Sequence, residues 1–400
     1  MKENLTPVTQ QPAALRQPGS FEPVPGPAKP YFPALTGVRA LAAYCVYLYH
    51  FNPFPARGGS QLEAILWAVV DKFNNLGVGI FFVLSGFLIA VRYGGISTWS
   101  PGELRRYLGN RLARIYPIYF LLTCLTCLVF WLRPGYDIYG VWPAYRPLDK
   151  VLVFFLNITL LRGFSEQFLY SGVWQGWSLT VELCFYLLAP FLLLSARRTR
   201  WALLLWPLAL LAVGALLVAG FSVVHTYGFF ASFDFMLGST FFGRSSEFVS
   251  GVLLACVLPG RGAPAREGRG RLLGGLLLLG VLLAFKVVVP FDSWARPATS
   301  WLAIVVNHLL LPASITLLFY GLLTEKSLLG KVLASKPLQL LGFSSYCFYL
   351  LHVGVIEMLV RHHVTSNSFG VFLLLNLLSI LVFKFIERPA HLYLTARLRK

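Results

Sequence analysis

This chain predicts an all-α, polytopic membrane fold, and three observations point to it. Of its 400 residues, 57% are hydrophobic and only 12% are charged, more apolar surface than a water-soluble domain can hide. Apolar runs of spanning length recur along nearly the whole sequence. The basic residues behind the formal net charge of +18 gather in short stretches between those runs, which is how a helical membrane protein is oriented. Their placement argues for a lipid bilayer as partner and against nucleic acid.

Residues 1–30 are rich in Pro and Gln and lack an apolar core, so they are expected as a flexible cytoplasmic tail and not as a signal peptide. An integral membrane domain follows over 31–390, with spans expected near 33–52, 75–93, 113–132, 177–196, 201–221, 240–258, 271–290, 302–323, 338–360 and 369–387. Residues 391–400 read as a short basic cytoplasmic tail. One more apolar piece, 151–161, is too short to cross alone. Counting it as a span would invert everything after it and move most of the basic residues outside. Leaving it out gives about ten spans with both termini cytoplasmic, and places eighteen Lys and Arg on inner loops against eight outside. That segment is therefore expected to be interfacial or re-entrant. Trp99, Trp142, Trp174, Trp201, Trp294 and Trp301 recur near span ends and read as interfacial anchors.

The six cysteines lie within apolar runs. Cys124 and Cys127 share a helix face, but no second pair or nearby histidine completes a ligand set, so no metal site is expected. There is no internal repeat and no Gly-rich phosphate loop.

Function has to come from the polar groups inside the spans, where charge is costly. Arg39 and His50 stand eleven residues apart in the first span, close to three turns, so they share a face at an axial separation of about 16 Å. Either they are functional, or the arginine snorkels to one surface and the histidine marks the other. Glu182 lies a turn or two below the outer end of its span, and a buried carboxylate must be paired or protonated. A His–Glu pair from two helices is an acid–base arrangement in which the carboxylate orients the imidazole. Arg244 and Glu247, at i and i+3, form either a mutually neutralised packing pair or part of a site, and Gly251 one turn on would admit a neighbouring helix. Tyr346, Tyr349 and His352 follow a turn apart, and His352 is either a core histidine or a site member. At the cytoplasmic end, Arg111 and Arg114 are one turn apart, just before Tyr116-Pro117. Two stacked guanidiniums suit phosphate groups; the ordinary alternative is positive-inside charge.

Seven motifs in order carry a resemblance. They are Leu35-Thr-Gly-Val-Arg39-Ala-Leu-Ala with His50, Gly79-Ile-Phe-Phe-Val-Leu-Ser85-Gly-Phe87, Arg111-Leu-Ala-Arg114-Ile-Tyr-Pro117, Trp177-Ser-Leu-Thr-Val-Glu182-Leu-Cys-Phe-Tyr186, Arg244-Ser-Ser-Glu247-Phe-Val-Ser-Gly251, Ser345-Tyr-Cys-Phe-Tyr-Leu-Leu-His352 and Glu387-Arg-Pro389. From about Tyr31 to Pro389 the chain resembles the acyltransferase family 3 integral membrane proteins, which transfer acyl groups to sugars and other hydroxyl-bearing acceptors. Thr180 and Leu183-Cys184 depart slightly from the pattern, standing where relatives often have serine and a more polar pair. The resemblance implies a ten-span core in the inner membrane and no permanently bound cofactor. It implies acyl-CoA, acetyl by default, as the donor from the cytoplasm. The acceptor would be a carbohydrate, glycolipid or other hydroxyl-bearing molecule, modified usually on the outer face. Arg39 and His50 match the family's essential pair, and Arg111 and Arg114 match arginines thought to engage CoA. Many relatives carry an extracellular SGNH-type domain after the last span. This sequence stops at Lys400, so either the core finishes the transfer or a separate extracytoplasmic acyltransferase does.

The expected mechanism has His50, oriented by Glu182, deprotonate an acceptor hydroxyl that attacks the thioester, directly or through an acyl-histidine. Arg39 or Arg244 would stabilise the oxyanion. Ser85, Arg244, Glu247, Tyr349 and His352 are expected as the supporting polar site. The competing class is a transporter or flippase for an acylated or glycolipid substrate, which would predict paired broken helices in related halves. A scaffold or sensor with a decayed site is the third class.

Overall fold

The computed structural model describes residues 31–56, 58–137, 140–199, 201–221, 223, 227–258, 270–288 and 301–398. The expected tail over 1–30 and Trp294 lie outside them. The described residues form helices and turns, with no strand and a single isolated bridge between Ser165 and Phe229. In order, the helices are α1 (Pro33–His50), α2 (Gln61–Asp71), α3 (Phe73–Tyr93), α4 (Pro101–Leu132), α5 (Pro147–Ile158), α6 (Trp177–Arg198), α7 (Ala202–Phe221), α8 (Phe233–Ser239) and α9 (Phe241–Val257). They continue with α10 (Gly270–Val288), α11 (Trp301–Val305), α12 (Leu311–Thr324), α13 (Leu328–Leu333), α14 (Lys336–Leu351), α15 (Val355–His363), α16 (Ser368–Val382) and α17 (Arg388–Arg397). Single π turns join α11 to α12 and α16 to α17.

Seven of these helical stretches are long and apolar enough to cross a membrane, or eight when α14 and α15 are taken as one broken span bent by 87°. Helices α1, with 18 residues, and α9, with 17, fall outside that set. They carry Arg39 with His50 and Arg244 with Glu247, respectively. The short α5, at 12 residues, covers about 18 Å and cannot span.

Two elements differ from the sequence expectation for local reasons. Helix α4 begins at Pro101, twelve residues before the expected boundary of 113. Ser100 and Glu103 form a reciprocal capping box: the Glu103 N–H donates to Ser100 Oγ at 3.2 Å, and the Ser100 N–H donates to Glu103 Oε2 at 3.0 Å. Arg105, Arg106, Arg111 and Arg114 therefore ride on a helix of 32 residues and not on a loop. The expected span over 338–360 breaks after Leu351, where Gly354 takes φ +111°, a backbone state that glycine adopts without penalty.

Helices α1, α3, α6, α9 and α14 surround the centre. A Cβ on Gly251 of α9 would collide with the Val83 carbonyl of α3, and one on Gly86 of α3 would collide with the Phe248 carbonyl of α9. Backbone thus meets backbone, as small residues permit in membrane helices, and the sequence reading of Gly251 agrees. Phe248 fills the space beside this contact, with ring centroids 4.5 Å from Phe82 and 4.3 Å from Phe185. Trp201 and Trp301 are exposed, as membrane-interface anchors would be, whereas Trp142 is buried against Phe130.

Candidate active site

A cavity of about 110 Å³ lies among α1, α3, α4, α6 and α14, with Arg39, Ser85, Arg111, Arg114, Glu182 and Tyr186 in its wall. Three guanidiniums therefore face one carboxylate, an imbalance that suits an anionic guest. Arg111 and Arg114 reach the cavity from one face of α4. Arg111 Nη2 donates to the Tyr93 hydroxyl at 3.3 Å while its guanidinium lies 5.3 Å above the Tyr93 ring, and its Nε is buried without an acceptor. Among the described residues, no hydrogen bond engages Arg39 or Arg114. Both lie in the electrostatic field of Glu387, whose carboxylate accepts from the Cys347 thiol at 2.9 Å and sits on the π turn before α17.

Glu182 is fixed from two sides. Ser85 Oγ donates to its Oε1 at 3.0 Å, and the Tyr186 hydroxyl donates to the same oxygen. Tyr346 pins α14 to α4 through the Ile115 carbonyl at 2.6 Å. At the other end of the cavity the Ser178 and Tyr349 hydroxyls meet at 2.9 Å. From Ser178 to Tyr186, α6 rises about 12 Å, so the cavity is elongated along the bundle.

His50 stands above this end, in a layer of rings. Its centroid is 5.4 Å from His352 and 5.1 Å from Trp174. His352 is fully buried and contacts the Tyr349 carbonyl through Nδ1 at 2.8 Å. Gln175 Nε2 donates to the Val353 carbonyl at 2.9 Å, tying the start of α6 to the break after α14.

The structure corrects the expected roles of several residues. His50 and Glu182 do not pair. Trp174 is level with His50, and Glu182 lies eight residues further along, about two turns deeper. Glu182 belongs instead with Arg39, Arg111 and Arg114. Of the two expected oxyanion cations, Arg39 is about three turns from His50 along α1, and Arg244 is neutralised. Arg244 Nε and Nη2 donate to the two Glu247 carboxylate oxygens at 2.8 and 2.6 Å, both residues being buried, and its guanidinium covers Phe82. That geometry is the packing-pair alternative. Trp174, read as an interfacial anchor, packs on His50 and Tyr170.

Sequence reasoning missed Arg162, which it counted among the outer-loop charges. Arg162 is fully buried and donates to the Val173 carbonyl and, at 2.9 Å, to the Trp174 carbonyl. Burial pushes its pKa below the ordinary arginine value. It shapes the turn that presents Trp174 to His50. Gln175, Tyr186 and Glu387 were also overlooked as site neighbours, although Tyr186 and Glu387 lie within the quoted motifs. Among the described residues, no three His, Cys, Asp or Glu side chains converge to hold a metal ion.

Comparisons with known proteins show the family. The family model described as an acyltransferase domain, Acyl_transf_3, matches residues 32–386. The chain is 25% identical over 341 residues to peptidoglycan O-acetyltransferase OatA of Listeria monocytogenes, covering 83% of this chain and 50% of that protein. It is 26% identical over 351 residues to acyltransferase MdmB of Streptomyces mycarofaciens, covering 84% of this chain and 82% of that protein. The O-acetyltransferase OatA of Staphylococcus aureus is 24% identical over 382 residues, covering 90% of this chain and 57% of the relative. The chain thus spans about half the length of the two OatA proteins, and most of MdmB. No solved structure matches. With a family match that runs from α1 into the π turn before α17, the chain belongs to acyltransferase family 3.

Proposed function

We propose that this protein is a multi-pass O-acyltransferase of the cytoplasmic membrane. It moves an acyl group, acetyl by default, from cytoplasmic acyl-CoA to a hydroxyl of a carbohydrate or related acceptor at the outer face. The observation that carries this reading is the elongated cavity with Arg39, Arg111 and Arg114 in its wall and His50 just beyond its opposite end. The CoA phosphates bind Arg111 and Arg114 through charge-assisted hydrogen bonds. The pantetheine arm follows the cavity past Arg39 and Glu182, over a length comparable to the separation of Arg39 and His50. Helices α1 and α9 complete ten crossings with both termini in the cytoplasm.

At the outer end, neutral His50 removes the proton of the acceptor hydroxyl while that oxygen attacks the thioester carbonyl carbon. A carbon–oxygen bond forms, the carbon–sulfur bond breaks, and His50 returns the proton to the departing CoA thiolate. Ser178 and Tyr349, whose hydroxyls meet in the cavity wall, donate to the carbonyl oxygen as its negative charge develops. Glu182 supplies negative charge to the arginine-lined compartment and does not orient His50. A separate extracytoplasmic protein that completes delivery is compatible with this chemistry. A transporter would pair sharp helix breaks across related halves; among the described residues, α14–α15 is the one spanning pair bent this far.

His50→Ala tests the reading. Purified in lipid nanodiscs, it should bind acetyl-CoA like the unaltered protein and lose transfer by at least about a hundredfold, as removal of a general base requires. Transfer near the unaltered rate would refute His50 as the base.

A further inference from the structure

Two buried acceptors at the break after α14, one of them beside His50, have no donor. His352 presents Nδ1 to the Tyr349 carbonyl. A carbonyl only accepts, so Nδ1 carries the proton of the neutral ring and Nε2 is left as a lone-pair acceptor. That Nε2 is buried and without a partner. Gln175 follows the same logic. Its amide nitrogen faces the Val353 carbonyl, so the other end is the Oε1 acceptor, and this too is buried without a donor. The two orientations are therefore fixed by backbone carbonyls of consecutive turns of one segment, Tyr349 and Val353.

Packing does not require these acceptors. The His352 ring lies nearly parallel to Phe348, with an interplanar angle of 7°, a position that a phenyl ring would fill without a bare lone pair. A buried polar atom left unpaired is costly and calls for a physical reason. The location supplies one. Both acceptors stand where α14 unwinds, and irregular backbone within a membrane fold is tolerated where it is buried in protein or lines a cavity. His50 and Trp174 are the half-buried members of the layer. Their rings lie 5.1 Å apart.

We propose that His352 Nε2 and Gln175 Oε1 bind the acceptor molecule, each taking a hydrogen bond from it, with the Trp174 indole flanking its ring. The substrate class is then a polyol or amino-sugar ring that carries O–H or N–H donors beside the hydroxyl acylated at His50. This inference rests on the reading of His50 as the base.

The test compares the unaltered protein with His50→Ala, His352→Phe, His352→Gln and Gln175→Leu. Each purified protein is titrated with acetyl-CoA, and alkali-labile O-acetyl groups on cell-envelope glycans are measured by mass spectrometry in cells that express it. His352→Phe and Gln175→Leu should bind acetyl-CoA within twofold of the unaltered protein and lower glycan O-acetyl at least tenfold. His352→Gln, which restores an acceptor oxygen, should recover at least a third of the signal. Normal O-acetylation by His352→Phe would overturn the proposal, as ordered water satisfying the acceptors would then suffice. Failure of His352→Gln to exceed His352→Phe, or loss of acetyl-CoA binding by His352→Phe, would also overturn it, because packing would then explain the residue. An unaltered protein that adds no more acetyl than His50→Ala removes the reading beneath it, a failure seen in a different arm.

Discussion

Ser85 Oγ donates to Glu182 Oε1 at 3.0 Å across 97 residues of sequence, and this bond places the carboxylate among arginines and away from the imidazole layer. The site therefore divides into an arginine-rich compartment that suits anions and a ring layer that holds His50. The division organises the expected behaviour of the variants below.

Arg111 and Arg114 are expected to contribute to donor affinity and little to the chemical step. A charge-assisted hydrogen bond to phosphate is worth about 1.5–3 kcal/mol, so Arg111→Ala and Arg114→Ala should each weaken acyl-CoA binding by about tenfold to a hundredfold. Arg111→Lys should not recover the loss, since a lysine lacks the planar fork that bonds the Tyr93 hydroxyl while covering its ring. Calorimetric titration with acetyl-CoA measures both effects.

The Arg244–Glu247 pair should behave as a structural element. Breaking a buried ion pair by removing one partner costs about 3–5 kcal/mol, because the other charge is left uncompensated. Glu247→Ala should lower the unfolding temperature in detergent sharply. Replacing Arg244 and Glu247 together with Met and Leu should be milder. Thermal unfolding of the single and double variants checks this, and acetyl-CoA affinity of the folded double variant should match that of the unaltered protein.

Arg162 is expected to tolerate neither alanine nor lysine. Its guanidinium serves the Val173 and Trp174 carbonyls together, and losing it removes two charge-assisted hydrogen bonds, each worth about 1.5–3 kcal/mol. Arg162→Ala should lose stability and, because the turn no longer presents Trp174 to His50, should lose transfer more than donor binding. Paired measurements of unfolding temperature, acetyl-CoA affinity and glycan acetylation separate the two effects.

Much of the helical framework could be read from the sequence because apolar runs of spanning length leave few alternatives to a helix. All ten expected runs contain helix, and the short piece near 151–161 is the short α5. Boundaries moved where local capping outweighed hydropathy, as Ser100 and Glu103 moved the start of α4. The site was legible as a set of residue types and not as pairings. Depth estimates placed Glu182 near His50, but the residues before Trp177 fold into turns that bring Trp174 to the imidazole and leave the carboxylate two turns deeper. Arg162 looked like loop charge because sequence alone does not show that its loop folds inward, onto α6. Orientation of Gln175 and His352 depends on carbonyls freed by a helix break that hydropathy smooths over.

The most direct measurement is a cryo-electron microscopy structure of the protein in nanodiscs with a non-hydrolysable acetyl-CoA analogue. The expected result is phosphate density against Arg111 and Arg114, the pantetheine arm along the cavity past Arg39, and the acyl end beside His50. Density for the analogue on another surface, or an acyl end lodged at Glu182 with no path to the imidazole, contradicts delivery of the thioester through this cavity.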